Sequence, residues 1–286
     1  MKPKNKQFFA GIGVGVILTV VIMVLSLVTP TFTAAVSALA AAANTPTPPP
    51  AGDIIPLKPL SGITSLSAQV TINVNGLING KRAQGDLNAT VVTNDQNKSQ
   101  VTVTGSLLGQ IAAQVGGSLV GLFTPSSVDI YKVPEGTYIV ANSLIPVCVK
   151  PAALNATATL DDMSPTSLMN MLTSSDVARG KYVGDNTING VAVKHYVING
   201  QAFLYAAQNS TDPKLKEFGQ SLWSANDADL YVDAKSGYPV AFNGSYSGAY
   251  APLGFEGDFT VQTQLTGVNQ NTPVTLPTSC NKPIVQ

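Results

Sequence analysis

The stretch Gln69–Asn75 reads QVTINVN, and its alternation of apolar and polar residues decides the fold. In an extended chain its valines and isoleucine fall on one side, while its amide and hydroxyl side chains fall on the other. The same period of two returns at 87–91 and at 101–103, with turn-forming residues between the runs. These segments predict antiparallel strands with one apolar face and one polar, hydroxyl-rich face.

Later parts of the chain repeat this pattern. Asn-Gly, Pro-Glu-Gly and Lys-Ser-Gly segments supply turns between short apolar runs. The runs predict two further hairpins and three closing strands, over 128–133 with 137–141, 182–188 with 191–198, and then 228–233, 238–247 and 255–265.

Capping residues predict the helices. Ser164-Pro165 and Asp212-Pro213 each place an N-cap before a proline of the first turn, and 201–208 form a short helix or turn. Residues 106–123 keep helical spacing, but glycines interrupt it. The order of elements predicts an α+β fold: a curved antiparallel sheet, or open half-barrel, with helices over its concave face.

The N-terminal segment is typical of a membrane anchor. Residues 8–28 carry no charge, and as a helix they would span roughly 30 Å, the thickness of a bilayer core. Three lysines precede the segment, and no charged residue follows it before Asp53. This asymmetry predicts one transmembrane helix with a cytoplasmic N-terminus and an extracytoplasmic domain. A cleaved signal peptide is the alternative, because Ala38-Leu39-Ala40 fits a cleavage site.

Composition divides the chain into four parts. We expect a cytoplasmic tip and transmembrane anchor over 1–33, an Ala/Pro-rich linker over 34–60, one domain over 61–268 and a Pro/Thr tail over 269–286. The net charge is zero and only 11% of residues are charged. Because a protein that neutralises phosphates needs a basic surface, nucleic acid is not expected as a partner.

The chain has two cysteines, Cys148 and Cys280. In an oxidising compartment they are expected to form one disulfide that ties the tail to the domain. The alternative is two unrelated thiols, one buried and one on a loose tail.

Two stretches carry a family resemblance: Tyr182–Gly200, YVGDNTINGVAVKHYVING, and Leu222–Phe242, LWSANDADLYVDAKSGYPVAF. With the early strands, they resemble the LolA-like superfamily, especially LppX/LprG-type exported lipid-binding proteins, over roughly Ser61–Thr266. The resemblance implies a half-barrel closed by helices around a hydrophobic cavity for acyl chains or lipidated partners. The chain departs from that family in having a membrane segment instead of a lipid-attachment cysteine, and an anchored carrier cannot leave its membrane.

Catalytic chemistry is not expected. The single histidine, His195, falls in a predicted strand without a nucleophile at a recognisable spacing, and one histidine with two distant cysteines cannot build a zinc site. Asp227, Asp229 and Asp233 follow a period of two, which spreads carboxylates along a strand instead of converging them on calcium. We therefore predict a non-enzymatic protein with no cofactor and no metal.

The apolar strand residues remain as the candidate site. If the helices cover them incompletely, the gap is an apolar cavity able to bind a lipid or acylated ligand. If the cover is complete, the protein is a structural or interaction module of the cell envelope with a filled core. The candidate cavity residues are Ile72, Val74, Val101, Val103, Ile130, Val140, Leu168, Met169, Leu172, Tyr196, Ile198 and Phe218.

Overall fold

The computed structural model describes residues 52–58, 63–94, 96, 98–110, 125–144, 146–150, 177–250 and 254–285. The predicted anchor at 8–28, the helix expected after Ser164 and most of 106–123 lie outside these residues. None of the helices in the described ranges is long and apolar enough to cross a bilayer.

The described residues form one large sheet with few helices. Its strands are β1 (Asp53–Ile54), β2 (Leu66–Ile78), β3 (Lys81–Thr93), β4 (Ser99–Thr104), β5 (Ser127–Val133), β6 (Gly136–Asn142), β7 (Val147–Lys150), β8 (Arg179–Ile188), β9 (Val191–Ile198), β10 (Leu222–Ala225), β11 (Ala228–Asp233), β12 (Pro239–Tyr250), β13 (Phe255–Val268) and β14 (Ile284–Val285). The helices are α1 (Gly200–Gln208) and α2 (Pro213–Ser221), with a 3₁₀ turn at Thr278–Asn281 and a helical turn at 106–110.

The strand order shows that the sheet is open. It runs β1-β8-β9-β11-β12-β13-β2-β3-β4-β5-β6-β7-β14, with β10 pairing beside β11 on β12. All pairings are antiparallel except that of β14 with β7. The predicted open antiparallel sheet is therefore confirmed.

The predicted division into an apolar and a polar face is also observed. On β2, Val70, Ile72 and Val74 are buried, while Gln69 and Asn73 are exposed. We call the face that carries the three apolar residues the inner face and the opposite one the outer face. On the outer face, polar side chains bond across strands, for example Thr71 Oγ1 to Asn88 Oδ1 (2.9 Å), Asn73 Nδ2 to Thr260 Oγ1 (3.2 Å) and Ser247 Oγ to Asp258 Oδ1 (2.6 Å).

Both described helices begin at side-chain caps. Asn199 accepts a hydrogen bond from the backbone N–H of Ala202 (2.9 Å), and the predicted cap Asp212 accepts one from Leu215 (3.1 Å). The spacing of Leu215, Phe218 and Leu222 predicts that all three lie on one side of the second helix, and for Leu222 this prediction is wrong. The helix ends at Ser221, and Leu222 begins β10, which pairs with β12.

Three glycines face each other across the sheet. Gly248 of β12 pairs with Gly257 of β13, and Gly257 pairs with Gly76 of β2. A Cβ atom on Gly76 would collide with the carbonyl oxygen of Glu256, and one on Gly257 would lie 2.5 Å from the Cα atom of Gly76. Only glycine permits this approach, and glycines at matching positions are where a sheet bends most readily.

Both predicted flanking segments take part in the fold. Asp53 and Ile54, expected in the linker, pair with β8, and Ile55 is buried. The tail expected after 268 adds β14 and buries Val274. Sequence reasoning missed these segments because neither carries an alternating pattern long enough to identify a strand.

The disulfide between Cys148 and Cys280 is present and joins residues 132 positions apart. Both cysteines lie in a cluster on the outer face, which we call the tail cluster. Its buried members are Tyr131, Val133, Tyr138, Val140, Cys148, Val274 and Cys280.

We predict that reducing the disulfide destabilises the fold. A loop of 132 residues corresponds to roughly 4–5 kcal/mol of unfolding free energy in the chain-entropy model. Urea unfolding with and without dithiothreitol measures the loss. A Cys148→Ser/Cys280→Ser variant should be equally stable in both conditions, and an unchanged wild-type midpoint in reductant would contradict the prediction.

Gly76→Ala should lower the free energy of unfolding by about 1–3 kcal/mol, because the new Cβ meets the backbone of β13. Gly267→Ala is the matched control on β13, since its Cβ would first meet the flexible end of Gln270, at 3.1 Å. Equal losses of stability in the two variants, measured by urea unfolding, would refute the close approach at Gly76.

Candidate functional site

The inner face of the sheet divides into two apolar clusters. The first inner cluster is formed by buried, mainly aliphatic side chains of β2–β6, together with Phe255 of β13 and with Leu107 and Leu108 of the helical turn at 106–110. The second inner cluster is formed by β9–β13, the start of β2 and the helices α1 and α2. Both described helices therefore pack on the second cluster.

The structure divides the predicted cavity residues between these clusters and other locations. Ile72, Val74, Val101, Val103 and Ile130 belong to the first inner cluster, while Tyr196, Ile198 and Phe218 belong to or pack against the second. Leu168, Met169 and Leu172 lie outside the described residues.

The assignment of Val140 to the cavity is wrong. Val140 packs in the tail cluster, and its cross-strand partner is Cys148. Its neighbour Ile139 is the residue that points into the first inner cluster. Tyr138, Ile139, Val140 and Ala141 are all buried, so the sequence carries no alternation that distinguishes their faces.

A chain of aromatic rings connects the two inner clusters. Ring centroids are 6.4 Å apart between Phe203 and Phe218, 5.8 Å between Phe218 and Tyr246, 5.4 Å between Tyr246 and Phe259, and 6.2 Å between Phe259 and Phe255. Of these rings, sequence reasoning selected only Phe218. The signal was available, because Phe255 and Phe259 are four residues apart on one strand and thus share a face.

Burial raises the pKa of the Tyr246 phenol, so this ring stays neutral at physiological pH. The five rings of the aromatic chain are therefore uncharged, and Phe203, Tyr246 and Phe255 are buried.

Asp86 fixes the helical turn that contributes Leu107 and Leu108 to the first inner cluster. Its Oδ1 accepts hydrogen bonds from the Ser106 hydroxyl (2.6 Å) and backbone N–H (3.2 Å), and its Oδ2 accepts one from Asn88 Nδ2 (2.5 Å). The bond from the Ser106 hydroxyl, with the others, lowers the pKa of Asp86 below its usual value. A carboxylate on the outer face thereby positions part of the inner apolar surface.

The remaining candidate polar residues have structural partners. His195 Nε2 lies 2.7 Å from Asp229 Oδ1, and the His195 ring stacks on Tyr231 at 4.4 Å. Asp227 accepts a hydrogen bond from the first N–H of α1, and Asp233 accepts two from the turn after β11. Within the described ranges, no three His, Cys, Asp or Glu side chains are grouped so that they could hold a metal ion.

Comparison with known proteins gives distant structural likenesses. No family model and no curated protein matches the chain. A DUF1329 family protein from Desulfovibrio piger is 7% identical, over 76% of this chain and 89% of that chain, with a TM-score of 0.24. A domain classed as an outer membrane lipoprotein-sorting protein, from Vibrio parahaemolyticus, is 8% identical, over 75% and 88%, with a TM-score of 0.23.

A third structure, PNGF-II, is 10% identical, over 76% of this chain and 30% of that one, with a TM-score of 0.22. Because all three superpositions are loose, we infer function from the geometry of the chain itself.

We predict that Ser106→Ala raises the pKa of Asp86 towards its usual value, because the strongest donor to the carboxylate is removed. A carboxyl group with a lowered pKa contributes stability above its unfolded-state pKa and loses it as the pH falls through the folded-state pKa. Carboxyl ¹³C NMR titration measures the shift. Ser106→Thr keeps a hydroxyl and should preserve the lowered pKa, whereas an unchanged Asp86 titration in Ser106→Ala would contradict this assignment.

Proposed function

We propose that this protein is a membrane-anchored extracytoplasmic protein that binds a lipid or acylated ligand on the inner face of its sheet. The observation that carries this proposal is the continuous apolar inner face, whose first cluster extends over six neighbouring strands. The helices α1 and α2 pack on the second cluster, while the non-strand residues of the described ranges that join the first cluster are Leu107 and Leu108.

The chemistry of the first inner cluster suits an acyl chain. Its residues are valine, isoleucine, leucine, alanine and phenylalanine, and they extend over six neighbouring strands, from β13 to β6. Each methylene transferred from water to such a surface contributes about 0.8 kcal/mol. The partly buried Val261 and Phe259 pack against this cluster, and Phe259 is also a ring of the aromatic chain. A bound chain there would lie against apolar groups only.

The segment before the sheet supports membrane attachment. The uncharged run at 8–28 has lysines on its N-terminal side, and a proline-rich spacer at 44–50 precedes the first strand at Asp53. We propose that the N-terminus is cytoplasmic and that this spacer holds the sheet above the extracytoplasmic surface.

A filled core is the second candidate, and the burial of the inner residues favours it. Val128 and Ile139 have no exposed surface, and Val103 and Ile130 are each 1% exposed. With a filled core, the protein would serve as a structural or interaction module of the envelope instead of a carrier. Neither reading assigns catalysis to the polar side chains, whose partners are structural.

Lipid analysis of residues 52–286 distinguishes the two functions. This fragment begins before β1 because Ile55 packs in the second inner cluster. We expect the wild type to co-purify with acyl lipids in native mass spectrometry. Val261→Trp should lose them, because a bulky ring would fill the inner surface opposite Ile72.

Gln262→Trp is the matched control, since the neighbouring residue is exposed on the outer face. It should retain the lipid. A wild-type fragment without acyl species and without affinity for a fluorescent fatty acid would overturn lipid binding in favour of the filled core.

A further inference from the structure

The outer face carries a trough, with polar side chains along both of its edges, that the lipid proposal does not use. Its volume is about 590 Å³, within the usual range of ligand sites. The lining residues come from β12, β13, β2 and β3, with one residue from the turn between β10 and β11. We propose that this trough binds a neutral carbohydrate chain.

The strand register explains the trough. One ridge is a cross-strand row that starts beside Asn226 and continues through Ser245, Thr260, Asn73 and Asp86. These side chains belong to the outer face because they alternate with inner residues of the same strands.

The second ridge is the row formed by Ser247, Asp258, Asn75 and Gln84, two positions further along the strands. Between the ridges runs the row of Tyr246, Phe259, Val74 and Gly85. The side chains of Tyr246, Phe259 and Val74 point to the inner face, and Gly85 has none. The backbone of this middle row therefore forms the floor of the trough.

The side chains of the two ridges argue against anionic ligands and against apolar ligands. Among the described residues that line the trough, none is lysine, arginine or histidine, so these residues offer an anionic ligand no counter-charge. The ridge side chains are amides, hydroxyls and carboxylates, so an apolar ligand would bury them without hydrogen bonds. The remaining classes of ligand are neutral polyols and cations.

The hydrogen bonds of the two carboxylates favour the neutral ligand. Asp86 already accepts bonds from Ser106 and Asn88, and Asp258 accepts one from Ser247. Their charges are thus partly satisfied within the protein. Amide groups, which both donate and accept, are the predominant remaining groups and match the hydroxyls of a sugar.

The dimensions favour a chain over a single sugar. Four strands spaced about 4.8 Å apart give a length of roughly 14 Å, and two ridges two residues apart give a width of about 7 Å. A long, narrow polar trough suits several sugar rings in a row.

The test uses the full chain in lauryldimethylamine oxide micelles, because a sugar-based detergent would compete. Calorimetric titration with maltohexaose, cellohexaose, mannohexaose and chitohexaose should show binding of at least one. Asn75→Ala/Gln84→Ala should weaken that binding about tenfold or more through the loss of two side-chain partners. These two residues form one exposed cross-strand pair between β2 and β3.

Gln69→Ala/Thr90→Ala is the matched control: it removes another exposed pair of polar residues on the same two strands, outside the trough. Its affinity should equal that of the wild type, and circular dichroism should show both variants folded. Three results would overturn the proposal: no binding of any of the four sugars, binding unaffected by Asn75→Ala/Gln84→Ala, or tighter binding of spermine than of the sugars. Because the trough lies opposite the lipid surface, failure here leaves lipid binding untouched.

Discussion

The pairing of β2 with β13 is the constraint on which the rest of the structure depends. It joins residues from the two ends of the domain in a ladder that runs from Leu66–Val268 to Ile78–Phe255, with one shift of register between Leu265 and Gly267. On one side of this ladder the chain adds β3–β7 in sequence order, and on the other it adds β12, β11, β9 and β8. The first inner cluster grows mainly from the former half and the second from the latter. Without this non-local pairing, neither half would have a neighbour against which to continue its inner face.

The glycine row and the aromatic chain both cross this ladder, and they determine where its inner face can be approached closely and where it is filled by side chains. At the positions of the three glycines, the inner side of β12, β13 and β2 carries no side chains. The carbonyl oxygen of Ser221, at the end of α2, would lie 2.6 Å from a Cβ on Gly248. Immediately beside the glycines, Tyr246 and Phe259 fill the inner face with large rings. A row of glycines therefore lies next to a row with large aromatic rings. The glycine row allows α2 to approach the sheet closely, and the aromatic rings link the two inner clusters. Within the described ranges, this arrangement places α2 on the second inner cluster.

The sequence predicts the strands correctly where one face is buried and the other is exposed to solvent. The strand at Ala228–Asp233 was predicted with its observed bounds, and the alternation around Ile72 identified the inner face correctly. The prediction failed where both faces are covered, as at Val140, which touches the tail cluster while Ile139 touches the first inner cluster. It also failed for β14, a strand of two residues whose position depends on the Cys148–Cys280 disulfide and on parallel pairing with β7. Such contacts come from distant parts of the chain and leave no local periodicity. The sequence predicts which face of the sheet carries the candidate site. It does not predict the aromatic chain, because the contacts between its rings depend on the register between strands.

The two faces of the sheet are chemically independent almost everywhere, because neighbouring residues on a strand point in opposite directions. Val74 contributes to the inner surface, while Asn73 and Asn75 on either side of it contribute to the outer one.

Asp86 connects the faces, since it lines the outer trough and also holds Ser106, the residue before Leu107 and Leu108. A group that took the Ser106 bonds from Asp86 would release the turn that covers the first inner cluster. A group that bonded only the amides would leave that turn in place. Any coupling between the outer and inner surfaces through this contact therefore depends on how strongly a molecule in the trough competes for one carboxylate.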